Sequence, residues 1–184
     1  MVAVQGVGGL GHLAVQYAAK LGYRVVAISR GSEKEAHARR LGAHEYIDAD
    51  KSDAGEALRQ LGGASLIVTT SPRADTISPL LTGLGILGKL LMLSVPGDVT
   101  INTSTMVGIR SIIISLDKAN FLELSYALSV QVWPCGSAVD AEETIQFTEL
   151  QGIECRVEEF PLDKANDAFS MLYYQLLTAH PYGI

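Results

Sequence analysis

Only two cysteines, Cys135 and Cys155, occur in the 184 residues of this chain. Their number and separation exclude a zinc knuckle and a disulfide framework, which leaves structural cysteine as the default. The four histidines, His12, His37, His44 and His180, show no H-E-x-x-H or comparable ligand spacing. Positive charge is also in short supply: fourteen Lys and Arg against twenty Asp and Glu leave a net charge of −6, and the cations are scattered rather than striped. That distribution argues against an extended nucleic-acid surface. No basic segment followed by an apolar stretch opens the chain. The apolar run over residues 80–95 is broken by Thr82, Lys89 and several glycines, so no membrane span is expected. Internal repeats and low-complexity segments are absent. Together these features predict a cytoplasmic chain with neither a nucleic-acid nor a membrane partner.

What is present is a chain with 48% hydrophobic residues, enough to bury a core in one main domain with a small appendage. Its first thirty residues read as strand, glycine-rich turn, helix and strand. Val2, Ala3 and Val4 form a short apolar run, and Gly6, Gly8 and Gly11 then fall on a G-x-G-x-x-G spacing. Residues 12–21 continue with helix formers, and residues 23–28 supply the next strand. In that context the three glycines serve different ends. The first permits a tight turn, the second lets the backbone approach a pyrophosphate, and the third allows close helix-on-strand packing. The amides around Gly6, Gly8, Gly9, Leu10 and Gly11, with the positive end of the helix dipole, then face the phosphates. His12, at the start of that helix, suits capping or packing better than catalysis. A second copy of the spacing at Gly83, Gly85 and Gly88 precedes an apolar strand instead of following one, and is expected to be a helix-ending turn.

Beyond this unit, helix and strand signals keep alternating. Residues 33–41, 54–61 and 75–84 read as helices, and residues 44–47, 65–70 and 89–95 as strands. A helix over 141–151 is capped by Asp140, a strand over 153–160 follows, and a last helix covers 163–174 after Pro161. The alternation predicts an α/β fold with a doubly wound parallel sheet.

At this level of detail the chain resembles a known family. Val2-Ala-Val-Gln-Gly-Val-Gly-Gly-Leu-Gly-His12, Gln16-Tyr-Ala-Ala-Lys-Leu-Gly22 and Leu41-Gly-Ala-His-Glu-Tyr-Ile-Asp48 are similar to the cofactor domain of the medium-chain dehydrogenase/reductases. The likeness is to the zinc-type alcohol dehydrogenases, in their cinnamyl-alcohol-like, NADP-preferring branch. Gly88-Lys-Leu-Leu-Met-Leu-Ser-Val-Pro-Gly97 resembles the family's fifth strand and its turn toward the nicotinamide. Val157-Glu-Glu-Phe-Pro-Leu-Asp-Lys-Ala-Asn-Asp-Ala-Phe169 resembles its return segment.

The resemblance implies a Rossmann-type domain over residues 1–152, and over 153–184 a return segment and tail, the remnant of a GroES-like catalytic domain. It implies reversible hydride transfer between a nicotinamide ring and an alcohol or aldehyde carbon, with a zinc ion polarising the substrate oxygen. No residue of this chain matches the family's zinc ligands, so the sequence is expected to be catalytically incomplete as given.

NADP rather than NAD is the expected cofactor. An acid at the end of the second strand normally accepts the ribose hydroxyls of NAD, and this chain places Ser29 and Arg30 there, followed by Lys34. Those side chains offer charge-assisted hydrogen bonds of about 1.5–3 kcal/mol each to a 2′-phosphate. The nearest acid, Glu33, reads as a helix-dipole partner. By resemblance only, Thr69 and Ser71 lie beside the adenosine ribose, Val95 follows the fifth strand, and Trp133 to Cys135 meet the nicotinamide carboxamide. Trp133 reads equally well as a core or subunit-contact aromatic. The implied partners are a nicotinamide dinucleotide, a small alcohol or aldehyde once a zinc-bearing domain is present, and a second subunit in a homodimer.

One stretch departs from the family. Joining Ser111 to Val130 restores its pattern, so residues 112–129 stand as an insert whose length suits a short retained intron, or else as a real extension with an amphipathic turn over 121–128. Transcript reads that end at Ser111 and resume at Val130 are expected; continuous reads through 112–129 refute the intron. A competing function is a catalytically silent nucleotide- or partner-binding module. A short-chain dehydrogenase is excluded because no tyrosine has a lysine four residues later. A methyltransferase is disfavoured by Ser29 and Arg30 where its ribose-binding acid belongs.

Overall fold

A computed structural model describes residues 1–102, 128–133 and 135–178, with backbone alone from 172. Six strands form one all-parallel sheet in the order β3-β2-β1-β4-β5-β6. They are β1 (Val2–Gln5), β2 (Val25–Ser29), β3 (Glu45–Asp48), β4 (Ala64–Thr69), β5 (Leu84–Met92) and β6 (Ser129–Val132). The helices are α1 (Gly11–Lys20), α2 (Glu35–Arg40), α3 (Ala54–Gln60), α4 (Ala138–Gln151) and α5 (Ala165–Thr178). The expected α/β doubly wound sheet of Rossmann type is therefore present.

The central strands are apolar at consecutive positions because both faces of the sheet are covered. Val2, Val4, Val25 and Ala27 pack with Val15 and Ala18 of α1 and Ala38 of α2 on one face. Ala3, Val26, Ile28 and Ile67 pack with Leu58 of α3 and with Ile77, Leu80 and Leu81 on the other. The period of two along each strand thus sorts neighbouring side chains into two cores.

Five local expectations change. The helix expected over 75–84 is a pair of 3₁₀ turns, Ala74–Thr76 and Ser78–Gly83. Pro79 has no N–H to continue an α-helical ladder, and the tighter bonds from Ile77 N to Ala74 O and from Leu80 N to Ile77 O take its place. Gly83 does end a helical turn, but Gly85 and Gly88 lie inside β5, where register jumps from Ala64↔Leu84 to Leu66↔Lys89. A side chain at Gly88 would come within 2.8 Å of the Ala64 carbonyl, so the irregularity needs a residue without Cβ. The strand expected over 89–95 ends at Met92. Helix α4 starts one turn early, capped by Ser137 in place of Asp140: Asp140 N donates to Ser137 Oγ (3.3 Å) and Ser137 N donates to Asp140 Oδ2 (2.6 Å). The Asp140 carboxyl is held below its ordinary pKa chiefly by the Ser137 amide and then by the Ser137 hydroxyl, which also donates to Oδ2 (2.8 Å).

Residues 153–160 form no strand. Their backbone groups are taken by side chains of α1 instead of by a sheet edge: Gln16 Nε2 donates to Glu154 O (2.9 Å), and Glu154 N donates to Gln16 Oε1 (3.0 Å). Helix α4 is fastened to the same helix by a Tyr17–Thr148 hydroxyl bond and by Tyr17 stacked on Phe147 at 5.9 Å.

The expected insert lies outside the described residues except for Leu128 and Ser129, and Ser129 opens β6 by pairing with Lys89. The tail from 179 also lies outside them. No helix among the described residues is long and apolar enough to cross a membrane.

Candidate functional site: a dinucleotide crevice

The strand order turns back between β1 and β4, and such a reversal opens a crevice at the carboxyl ends of the strands. Because every strand runs the same way, the segments after β1, β2, β4, β5 and β6 all meet this one edge. The glycine turn follows β1. Gly6 has φ +90°, and a Cβ there would sit 2.5 Å from Thr70 Oγ1. A Cβ on Gly11 would lie 1.7 Å from the Gly6 carbonyl oxygen, so α1 starts in backbone contact with β1. Gly8 and Gly9 meet nothing within 4 Å. Gly6 thus permits the tight turn and Gly11 the close approach of helix to strand, and the open side lies at Gly8 and Gly9 next to the amino end of α1. Leu10, the residue before α1, is exposed.

The turn after β2 carries the cationic positions. Arg30 is exposed and Lys34 half-buried, and burial, followed by repulsion from Arg30, pushes the Lys34 pKa below its ordinary value. Among the described residues neither forms an ion pair. Helix α2 begins at Glu35 with Lys34 as the preceding residue, so Glu33 stands ahead of the first turn rather than in it. Its carboxylate lies over Gly31, where an added Cβ would be 2.1 Å from Oε2.

Two residues of β3 brace this turn, and sequence reasoning did not single them out. Tyr46 Oη donates to Gly31 O (2.7 Å), and Gly31 N donates to Asp48 Oδ1 (2.9 Å). Burial raises the Tyr46 pKa against a hydrogen bond from Ser29, with Asp48, Glu33 and Glu35 adding to the rise. Asp48 also accepts from Asp50 N (3.1 Å) and pairs with Lys51 (3.1 Å); desolvation is outweighed, and its pKa falls. Both residues lie in the family-like motif from Leu41 to Asp48, the one signal that pointed to them.

The remaining expected positions divide. Thr69 is fully buried and its hydroxyl donates to Gln5 Oε1, so it shapes the β1–β4 junction and offers no free donor. Ser71, by contrast, reaches the rim: its amide lies 3.9 Å from where a Gly6 Cβ would be, and its carbonyl accepts from Ser94 Oγ (2.6 Å). Val95 is 93% exposed, beyond the end of β5. Trp133 N extends the β5–β6 ladder by donating to Met92 O (3.1 Å), and its side chain is 58% exposed, which removes the core alternative for this aromatic. Cys135 is an exposed free thiol.

Comparison with known proteins decides the family, since the zinc-binding dehydrogenase profile matches residues 9–117. The chain belongs to the zinc-binding dehydrogenase family. This dehydrogenase chain is 53% identical over 176 residues to alcohol dehydrogenase patD of Aspergillus clavatus, covering 91% of this chain and 45% of that protein. It is 52% identical over 171 residues to alcohol dehydrogenase notN of an Aspergillus species, covering 93% and 45%. The crystal structure of the alcohol dehydrogenase of the archaeon Aeropyrum pernix superposes with a TM-score of 0.74 at 26% identity, covering 95% of this chain and 47% of that one. The dehydrogenase chain therefore spans about half the length of the relatives it matches, and the matched half is the nucleotide-binding domain of the zinc-type, medium-chain alcohol dehydrogenases. The family expected from the sequence motifs is borne out.

Proposed function

We propose that this chain is the cofactor-binding half of an NADP-dependent alcohol dehydrogenase. One observation carries the reading: a glycine turn open at Gly8 and Gly9, at the amino end of α1 in the strand-order crevice, lies on the same edge as two cations without ion-pair partners among the described residues. The cradle fits a dinucleotide, because the diphosphate needs close backbone approach and free amides while the extra ribose phosphate needs positive charge.

When bound, the nicotinamide supplies a hydride acceptor or donor for an alcohol or aldehyde carbon. The chain's own residues bind and orient. Amides of residues 8–11 hold the diphosphate; Ser29, Arg30 and Lys34 hold the 2′-phosphate, on a turn kept in shape by Tyr46 and Asp48. Ser71 flanks the adenosine ribose, and Val95, Trp133 and Cys135 border the nicotinamide end. Among the described residues no group of three or more His, Cys, Asp or Glu side chains is placed to hold a metal, so no step here runs through zinc. Substrate activation belongs to residues supplied from elsewhere, and the chain by itself binds cofactor without turnover.

A second reading, NAD as cofactor, is favoured by the Glu33 carboxylate over Gly31, within the same turn. Calorimetric titration of the 184-residue chain with NADP and NAD separates the two. NADP is expected to bind at least about tenfold more tightly, as one charge-assisted bond requires. A preference for NAD transfers the assignment to Glu33, and binding of neither overturns both.

A further inference from the structure

His12 carries two hydrogen bonds that join distant parts of the chain. Its ring is buried, 5% exposed, one residue into α1. Arg156 N donates to His12 Nε2 (3.1 Å), which makes Nε2 an acceptor and leaves the proton on Nδ1. Nδ1 then donates to the Gly8 carbonyl (3.0 Å), which also accepts from the His12 amide (2.9 Å). The Gly8 carbonyl and the Gly9 N–H belong to one planar trans peptide and point to opposite sides. Fixing the oxygen toward α1 therefore turns the Gly9 N–H outward, at a glycine where an added Cβ would meet nothing within 4 Å. One neutral imidazole thus sets a peptide plane in the phosphate loop and holds the start of the return segment, where Gln16 grips Glu154 alongside it.

We propose that His12 is a positioning residue that couples the glycine loop to residues 153–156, so that diphosphate binding at the loop and seating of the return segment on α1 favour one another. The proposal rests on the dinucleotide reading above and adds to it a regulation of the same site. Its mark is acid sensitivity, because a protonated ring presents a second N–H to Arg156 N–H and the acceptor is lost. The His12 ring faces His37 of α2 and the Arg156 amide of the return segment, and Lys34, ahead of α2, Arg40 of α2 and Arg156 act in turn on His37. Burial first, then Arg156, Arg40, His12 and Lys34, hold the His37 pKa below its ordinary value. His37 is the neighbouring imidazole, and His37→Gln is the control.

The test measures NADP and NAD affinity and amide hydrogen exchange on the full chain between about pH 8 and about pH 5. NAD lacks the 2′-phosphate that itself titrates in this range, so the two probes separate ligand from protein protonation. Saturating dinucleotide is expected to slow exchange of the Arg156 and Glu154 amides by about tenfold at the upper end, and acid is expected to abolish the slowing. His12→Gln is expected to weaken both dinucleotides about three- to tenfold at the upper end, the worth of one hydrogen bond, and to flatten the acid dependence. His37→Gln keeps that dependence. The exchange measurement on the unsubstituted chain needs no variant, so a poorly folding His12→Gln does not block the test. Unaltered exchange at Arg156 on binding, or a His12→Gln profile that matches the parent, overturns the coupling. If the parent binds neither dinucleotide, the cofactor reading falls and the coupling with it; if it binds but shows no effect at Arg156, only the coupling falls.

Discussion

Gly11→Ala is expected to lower the thermal midpoint by about 6–12 °C, whereas Gly8→Ala and Gly9→Ala leave it almost unchanged and act on dinucleotide affinity instead. The added methyl at Gly11 has nowhere to go: it would sit 1.7 Å from the Gly6 carbonyl oxygen. Gly6 cannot yield easily, because its φ of +90° and the hydroxyl of Thr70 at 2.5 Å from its own absent Cβ fix it from the other side. Either α1 moves off the sheet or the turn after β1 rebuilds. Overpacking of that kind costs about 3 kcal/mol, which in a chain of this size corresponds to the shift stated. Gly8 and Gly9 have no neighbours to displace, so a methyl there is tolerated by the fold but occupies the side from which a diphosphate would approach. Thermal unfolding and NADP titration on the three variants read the two effects separately. A midpoint unchanged in Gly11→Ala would contradict the backbone contact between α1 and β1.

The double substitution Arg30→Ala with Lys34→Ala is expected to weaken NADP binding by about a hundredfold or more and to leave NAD within about threefold. Two charge-assisted hydrogen bonds at about 1.5–3 kcal/mol each give that scale. The fold should not suffer. Neither cation has an ion pair to lose among the described residues, and removing a half-buried ammonium beside a guanidinium relieves desolvation and like-charge repulsion. Equal loss for both dinucleotides would mean that these cations attract phosphate in general and do not read the ribose. Adding Glu33→Gln to the double variant then reports on the acid above Gly31: it should reduce NAD affinity where that carboxylate meets ribose hydroxyls.

The parts of this fold that were legible in the sequence are those whose cause is local. The turn over residues 6–11 announces itself because strand, glycine spacing and helix lie within twenty residues, and Gly11 answers a contact with Gly6 made inside that stretch. The alternation of apolar strands with helices likewise pointed to the sheet. Glycines at 85 and 88 misled because the same residue type serves a turn and a strand irregularity, and only the partner strand, with Gly63 and Ala64 pressed against them, decides which. Residues 153–160 look like a strand because they are partly apolar, with the β-branched Ile153 and Val157 among them. What makes them something else is Gln16 and His12, which are far away in sequence and carry no pattern that predicts a backbone partner. In the candidate site, the placement of Ser29 at the end of β2 and of Arg30 and Lys34 beyond it was legible in the sequence, while the bracing of that turn by Tyr46 and Asp48 depends on the pairing of β2 with β3. Thr69 was assigned to a ligand by position alone; its hydroxyl is used by Gln5 across the β1–β4 pair.

The ties from Gln16 to Glu154 and from His12 to Arg156 span 138 and 144 residues. A ribosome delivers residues 153–156 well after the glycine turn that they steady, so a nascent chain carries that turn without its brace until they emerge. Closing so large a loop is entropically slow to achieve yet adds little cost per extra residue. The final shape of the glycine turn is therefore a late event, completed only when residues 153–156 return to it.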